Sequence, residues 1–172
     1  MHRANEANEA NDRSRIRLAP ATEADVPLIL AFIHELAEYE RLAREAVVTE
    51  TLLSESLFGP RPAAEVLLAH VDAEPAGFAV TFPSFSTFLG RPGLYLEDLY
   101  VRPAWRGLGV GRALLAEVGR IARARGGGRL EWSVLDWNAP AIAFYRRLGA
   151  IPMDEWTVFR VTGAALDRLA AE

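Results

Sequence analysis

The stretch from Leu94 to Ala116 reads LYLEDLYVRPAWRGLGVGRALLA and contains a strand pattern, a glycine-rich loop and the start of a helix pattern. Residues Leu94 to Val101 are mostly aliphatic and aromatic, which is typical of a half-buried β-strand. Pro103 lacks a backbone N–H and ends that pattern. The loop Arg106 to Arg112 follows, and Ala113 to Ala124 has helical periodicity. The sequence therefore predicts a strand, a loop and a helix N-terminus in direct succession.

A glycine-rich loop that leads into a helix is a candidate anion-binding site. Glycine allows successive backbone N–H groups to point toward one ligand, and the helix dipole adds about half a positive charge. The loop comprises Arg106, Gly107, Leu108, Gly109, Val110, Gly111 and Arg112. Its two arginines can add charge-assisted hydrogen bonds to a phosphate. We expect the ligand to be a pyrophosphate.

The spacing of the glycines separates this loop from two other phosphate-binding motifs. The dinucleotide fingerprint G-x-G-x-x-G requires its third glycine one residue later than Gly111. A P-loop ends in Gly-Lys-Ser/Thr, and no such triplet occurs in the chain. The alternative interpretation is a glycine-rich turn that serves only the backbone.

Composition limits the class of protein. The chain has 172 residues, 51% of them hydrophobic, which is enough for a sizeable core. Its net charge of −4 disfavours nucleic-acid binding. The absence of cysteine excludes disulfides and thiolate metal sites, and HELAE at residues 34–38 lacks the second histidine of H-E-x-x-H, so no metal is expected. No apolar run approaches the ~18 residues of a membrane span, and no signal peptide is visible, which predicts a soluble cytoplasmic protein.

The remaining segments alternate between strand and helix patterns. Residues 1–14 repeat Asn-Glu-Ala and are expected to form a disordered tail. Further strand patterns cover Arg15–Ala19, Ala64–Val71, Ala76–Phe82, Leu130–Leu135 and Thr157–Val161. Further helix patterns cover Thr22–Leu42, Thr49–Leu57, Ala141–Leu148 and Gly163–Ala171. This alternation predicts one α/β domain over residues 15–172 with a mixed central sheet.

The segment Pro83 to Gly93 (PSFSTFLGRPG) is apolar and is predicted to form a loop between two strands. Such a loop either packs beneath the edge of the sheet or lines a pocket. The sequence leaves both interpretations open.

Two motifs resemble those of the GNAT N-acetyltransferases. RGLGVG matches Arg-Gly-x-Gly-x-Gly, and WNAPAIAFYRRLGA at residues 137–150 matches a closing motif in which Asn-x-x-Ala precedes a helix with F-Y-x-x-x-G. The resemblance extends from Arg15 to about Leu169. ELAEYE at residues 35–40, LYLEDLYV at residues 94–101 and the Trp137-Asn138 pair resemble the diamine (spermidine/spermine) acetyltransferase branch.

This resemblance implies a fold, a reaction and partners. The fold is a GNAT-type α/β (α+β) domain, with a mixed, mostly antiparallel sheet flanked by helices. The reaction moves an acetyl group from acetyl-CoA to a primary amine of a small, polyamine-like or lysine-like molecule, by direct attack in a ternary complex. The branch further implies a homodimer. A protein N-terminal or lysine acetyltransferase and a non-catalytic acyl-CoA-binding regulatory module remain alternative functions.

The resemblance also assigns roles on the donor side. Tyr145 matches the tyrosine that protonates the departing CoA thiolate, a role for which a phenol is suited when solvent is excluded. Residues Leu99, Tyr100 and Val101 match the strand that binds pantetheine amides, and Asn138 and Ala141 match pantetheine-contacting positions. The loop from Arg106 to Arg112 matches the pyrophosphate loop.

On the acceptor side, the amine must lose a proton before it attacks. Glu97 matches a position proposed to accept that proton, and Asp98 adds negative charge beside it. Because side chains alternate along a strand, only one of the two is expected to point into the site, and Glu97 is favoured as the base. The alternative interpretation of Glu97 is an ion pair with an arginine. Glu40 matches an acid that binds a cationic substrate. Ser86-Thr87-Phe88 replaces the Asp-Pro-Trp of the polyamine enzymes, so Phe88 is a candidate substrate contact and spermidine is disfavoured.

Overall fold

The computed structural model describes residues 15–172, and the predicted tail at residues 1–14 lies outside the described residues. The described chain forms two compact units, one ending at Ser133 and the other comprising Val134–Glu172. The single domain expected over residues 15–172 stays a prediction. None of the helices in the described part has the length and apolar character that crossing a membrane requires.

The first unit contains a five-stranded sheet with the order β1-β2-β3-β4-β5. The strands are β1 Ile16–Pro20, β2 Glu65–Val71, β3 Glu74–Ser86, β4 Arg91–Val101 and β5 Leu130–Trp132. Strands β1 to β4 are antiparallel neighbours, whereas β5 pairs with β4 in parallel. This confirms the prediction of a mixed, mostly antiparallel sheet.

Five helices accompany the sheet. The first unit has α1 Val26–Tyr39, α2 Glu50–Phe58 and α3 Val110–Ala124, and the second has α4 Ala139–Arg147 and α5 Gly163–Ala170. Short 3-10 turns occupy Glu23–Asp25 and Pro103–Trp105. All predicted helices are therefore found, with ends displaced by a few residues.

Side-chain caps mark the start of two α-helices and of the 3-10 turn that precedes α1. At that turn, Glu23–Asp25, the backbone N–H of Thr22 donates to the Asp25 carboxylate at 2.8 Å as part of a capping box. Before α2, the Leu52 N–H donates to Thr49 Oγ1 at 3.3 Å. The side chain of Asn138 caps α4 in the same manner.

The core of the first unit lies between α1 and the sheet. Phe32 of α1 and Phe78 of β3 are fully buried, and their rings stack with centroids 5.3 Å apart. Tyr100 of β4 tilts against Phe32 at 6.2 Å. Aromatic pairs of this kind contribute about 0.5–1.5 kcal/mol beyond the area that they bury. The stack fixes α1 over the middle of the sheet.

The predicted loop Pro83–Gly93 is wrong in its extent, because most of it is strand. Strand β3 continues to Ser86 and β4 begins at Arg91, which leaves residues 87–90 as the turn. The pairing of β3 with β2 ends at Thr81, so Pro83 lies where β3 has β4 as its strand neighbour. A strand tolerates proline at such a position because no N–H is needed on the outer side.

Two other strand predictions differ from the structure. Strand β5 ends at Trp132 rather than at Leu135, and Thr157–Val161 forms no strand. The latter sequence has a strand composition, yet residues 156–162 have no pairing partner in the described part of the chain. Strand propensity depends on a neighbouring strand and on packing, so composition alone does not produce the element.

Every ion pair found among residues 15–133 uses arginine as its cation. The pairs are Arg15–Asp72, Arg102–Glu35, Arg120–Glu117, Arg125–Glu65 and Arg129–Glu131. The sequence in fact contains no lysine, so all 19 basic residues are arginine.

Candidate functional site

The end of β4 has an unpaired outer edge in the first unit. Strand β5 pairs with β4 from Leu94 to Leu96 and ends there, whereas β4 continues to Val101 beside β3. Beyond Leu96, no strand among residues 15–172 pairs with that edge. Extended ligands bind such edges through main-chain hydrogen bonds. The edge includes Leu99 to Val101, the residues that the sequence assigns to a donor molecule.

A β-bulge separates the two adjacent carboxylates of β4. Val80 pairs with Asp98 but its neighbour Thr81 pairs with Leu96, so Glu97 is the extra residue. Cross-strand partners share a face, and Val80 belongs to the core beneath α1. Asp98 therefore faces the α1 side of the sheet, whereas Glu97 is exposed. Asp98 is therefore the side chain on the face of the sheet that α1 covers. Glu97, which the sequence favours as the base, is not.

Three acidic groups interact around the end of β4. Burial, and then the nearby charges of Glu97 and Glu40, raise the pKa of Asp98 to about 6. Burial also raises the pKa of Glu40, which caps the C-terminus of α1. An approaching ammonium group would relieve the repulsion among these carboxylates. The first unit thus brings Glu40, Glu97 and Asp98 together, as a cation-binding site requires.

The glycine loop lies between the end of β4 and the start of α3. Gly107 and Gly109 have φ values of +83° and +86°, the left-handed region that side chains disfavour. A Cβ atom placed on either glycine would meet nothing within 4 Å, so this face of the loop is open. Gly109 is the N-cap of the 15-residue helix α3, whose first N–H groups have no partner within the helix. The backbone expected for an anion cradle is therefore present.

Arg106 has contacts that the sequence does not predict. Its Nε donates to the Val101 carbonyl at 2.9 Å, and its guanidinium lies 4.8 Å from the ring centroid of Tyr39. The same group lies 5.9 Å from the Tyr100 ring. Arg106 therefore joins the end of α1 to the end of β4, whereas the exposed Arg112 stays in the first turn of α3.

Sequence reasoning missed a second arginine, Arg102. Its guanidinium binds the Glu35 carboxylate through contacts of 2.7, 3.0 and 3.1 Å and donates to the Pro75 carbonyl at 3.1 Å. It also lies 4.7 Å above the Phe32 ring. Burial, and then the facing Glu35 carboxylate, raise the pKa of Tyr100. In the sequence, the only sign of this role of Arg102 is a positive charge directly after the LYLEDLYV strand.

The second unit holds the other predicted donor-side residues on α4. Asn138 is buried and accepts a hydrogen bond from the Ala141 N–H at 3.3 Å. Tyr145 lies two turns along the same helix, with its ring 5.3 Å from that of Phe144. Within this unit, Asn138 and Ala141 form one cap, and Tyr145 follows them on a single rigid element.

Phe88 is not brought together with the acidic residues of the first unit. It occupies the turn between β3 and β4 and is 93% exposed. Asp98 lies ten residues further along the hairpin, roughly 25 Å or more at the ~3.3 Å rise of a strand. Within this unit, Phe88 and Asp98 are therefore too far apart to contact the same small amine.

Comparison with known proteins gives consistent matches over most of the chain. The sequence model of the acetyltransferase (GNAT) family matches residues 31–150. The chain is 35% identical to the L-ornithine N5-acetyltransferase of Arabidopsis thaliana, over 91% of this chain and 87% of that protein. It is 36% identical to the thialysine N-epsilon-acetyltransferase of Bos taurus, over 91% and 98%. An integron cassette protein from the mobile metagenome of V. cholerae has a TM-score of 0.78 at 24% identity, with 92% and 99% covered.

The raised pKa of Asp98 predicts a specific pH dependence of stability. Between the ordinary value of 3.8 and about 6, the folded chain binds more protons at this site than the unfolded chain. The contribution of Asp98 to stability therefore falls as pH rises through this window. Replacement by Asp98→Asn should remove this penalty, so the variant gains up to about 3 kcal/mol over the wild type between pH 3.5 and 7.5.

The measurement is urea unfolding of both proteins across that pH range. Glu45→Gln is the matched control, since it removes an exposed carboxylate that is not among the causes of the raised pKa of Asp98. Equal pH profiles for the wild type and Asp98→Asn would contradict the burial of this carboxylate.

Proposed function

The chain belongs to the acetyltransferase (GNAT) family, and we propose that it acetylates the side-chain amine of an ornithine-like or lysine-like amino acid. It is an N-acetyltransferase that acts on amines, as the named relatives do. The observation that carries the choice of acceptor is the group of three carboxylates at the end of β4. The two relatives carry names that specify amino acids with a terminal side-chain amine.

Acetyl-CoA fits the donor side of the first unit. The open glycine loop before α3 offers backbone N–H groups to the pyrophosphate, and the unpaired edge of β4 offers main-chain groups to the pantetheine amides. When bound, acetyl-CoA supplies an acetyl group activated as a thioester. In this proposal the loop from Gly107 to Gly111 holds the phosphates and Leu99 to Val101 orient the donor. Asn138 and Ala141 are proposed to contact the pantetheine.

The acceptor amine is cationic at neutral pH and requires both attraction and deprotonation. Glu40 and Asp98 would attract it, and a carboxylate in the same group would accept its proton. Glu97 is the proposed base, because it matches the family position. Asp98 is a second candidate, supported by a pKa of about 6 that lies near the operating pH.

Tyr145 is the proposed general acid. Its hydroxyl would donate a proton to the departing sulfur as the carbon–sulfur bond breaks and the new carbon–nitrogen bond forms. The chain has no cysteine, so a cysteine-linked acetyl intermediate is impossible and direct attack by the amine is the proposed route. We also propose that the protein acts as a homodimer in the cytoplasm, as the branch resemblance implies.

The function is tested by thiol release from acetyl-CoA with a panel of amines. Ornithine, lysine and thialysine should be turned over with kcat/KM at least tenfold above spermidine and putrescine, because they match the named relatives. Glutamine is the control, since it keeps the α-amine but has no side-chain amine. Turnover of peptides alone would favour a protein acetyltransferase. Acetyl-CoA binding without any turnover would favour a regulatory module.

Once the amine is known, two variants assayed with it distinguish the two candidate bases, Glu97 and Asp98. Glu97→Gln should abolish the acidic limb of the kcat/KM profile if Glu97 is the base. Asp98→Asn should then raise KM for the amine and keep that limb. The reverse pattern would transfer the role to Asp98.

The glycine loop predicts the effect of Gly109→Val. Valine disfavours φ near +86°, and its side chain would enter the open space that the phosphates need. Acetyl-CoA affinity should fall roughly 100-fold or more by calorimetry, about 2.7 kcal/mol. Gly119→Val is the matched control, since Gly119 lies within α3 and its Cβ would also meet nothing within 4 Å. Tight binding by a folded Gly109→Val protein would refute the cradle.

The general-acid proposal predicts a loss of turnover with binding retained. Tyr145→Phe removes the proton donor and keeps the ring, so kcat should fall by about 10²–10⁴ while the Kd for acetyl-CoA changes little. Single-turnover kinetics and calorimetry measure the two quantities. Phe144→Leu on the same helix controls for altered packing. A kcat of Tyr145→Phe equal to that of the wild type would remove the acid role.

A further inference from the structure

Arg106 lies at the entrance to the glycine loop, and backbone hydrogen bonds fix its position. The Arg106 N–H donates to the Pro103 carbonyl at 3.2 Å, and the Trp105 N–H donates to the Arg102 carbonyl at 2.9 Å. These bonds belong to the 3-10 turn between β4 and the loop. The turn thus sets the direction in which the chain enters the loop at Gly107.

The side chain of Arg106 reaches back to the outer edge of β4. The Arg102 N–H donates to the Ala76 carbonyl of β3 at 2.9 Å. Hydrogen-bonded and non-hydrogen-bonded pairs alternate along an antiparallel ladder, so the adjacent pair of Val101 and Gly77 directs its main-chain groups outward. The Val101 carbonyl therefore points to the edge that has no strand neighbour in the described first unit. Arg106 Nε donates to this oxygen at 2.9 Å, which is a charge-assisted hydrogen bond.

The guanidinium of Arg106 also lies against two tyrosine rings. Its carbon is 4.8 Å from the centroid of the Tyr39 ring and 5.9 Å from that of the Tyr100 ring. Both distances are within the ~6 Å range of cation–π attraction. Tyr39 is the last residue of α1, and Glu40 follows it directly as the C-cap. One side chain thus connects the start of the loop, the end of β4 and the helix end that carries Glu40.

We propose that Arg106 is a positioning residue that holds the glycine loop against β4 and α1, rather than a ligand of the pyrophosphate. Its Nε–H and its guanidinium already contact Val101 and Tyr39, and binding a phosphate would compete with these contacts. The loop N–H groups and Arg112, in the first turn of α3, are then the groups that bind the phosphates. The inference rests on the acetyl-CoA site proposed above and specifies how its loop is held.

The side chain at position 106 distinguishes positioning from phosphate binding. A lysine keeps the positive charge that a phosphate ligand needs, but it lacks both the Nε–H and the planar guanidinium of arginine. Arg106→Lys and Arg106→Gln should therefore both raise the Kd for coenzyme A, measured by calorimetry, roughly tenfold or more. Arg120→Gln is the matched control, since it removes an arginine charge from the exposed face of α3. A Kd for Arg106→Lys within about threefold of the wild type would overturn the proposal.

Tyr39 provides a second test, because its ring contacts Arg106 from α1. Tyr39→Leu should raise the Kd for coenzyme A roughly threefold or more, whereas Tyr39→Phe keeps the ring and should stay close to the wild type. In the double variant Tyr39→Leu with Arg106→Gln, losing the ring should add less than about twofold to the effect of Arg106→Gln, because its partner is gone. Fully multiplicative effects, or an unchanged Kd in Tyr39→Leu, would overturn the positioning role.

The KM of the amine is a readout that the loss of a phosphate ligand would not move. Because Tyr39 precedes Glu40, Arg106→Gln should raise the amine KM roughly threefold or more at saturating acetyl-CoA. An unchanged amine KM would overturn the connection to α1.

The outcomes separate this inference from the proposed function. A wild type that binds coenzyme A and acetylates an amine, with variants that fail these predictions, overturns the role of Arg106 and leaves the function standing. Coenzyme A binding with the predicted Kd changes, but without turnover of any amine, overturns the function and supports the role of Arg106. A wild type that binds no coenzyme A overturns both.

Discussion

The candidate site depends on the early end of the parallel pairing between β4 and β5. Had β5 followed β4 to Val101, the outer edge of β4 would be satisfied by a neighbouring strand and closed to ligands. Since β5 ends at Trp132, the outer edge of β4 beyond Leu96 has no strand neighbour in the described first unit and leads directly into the glycine loop. Strand β4 thus supplies the binding edge, and the glycine loop proposed to bind the anion follows directly after it. The same strand carries the carboxylates on its bulge.

The group of carboxylates at the end of β4 is electrostatically unfavourable for the free protein but suits the binding of a cation. A half-buried aspartate with acidic neighbours is unfavourable in the free protein, and the raised pKa of Asp98 reflects that cost. The surrounding structure holds it through rigid contacts, which include the Phe32–Phe78 stack and the clamp of Arg102 on Glu35. These contacts fix α1 against the sheet, so a cationic ligand would meet an arrangement that is already formed.

Sequence patterns predicted the helices and most of the strands, because capping residues, proline and apolar periodicity act locally. Thr22 and Thr49 are examples, since each cap forms as its pattern indicates. The pattern failed where the outcome depends on distant neighbours. The sequence predicts a strand end at Pro83, yet β2 stops early enough for β3 to continue through this proline. The bulge at Glu97 and the stacking of Arg106 on Tyr39 depend on register and tertiary contact, which composition does not encode.

The all-arginine charge network has a consequence for an enzyme that handles an activated acetyl group. A guanidinium stays protonated at any physiological pH and has no free lone pair with which to attack a thioester. A lysine amine in the same ion pairs would be a chemical competitor of the acceptor, above all close to a bound donor. With no lysine in 172 residues, no side chain of this protein is a primary amine. The enzyme's own surface is therefore inert to lysine acetylation by the reagent that it carries.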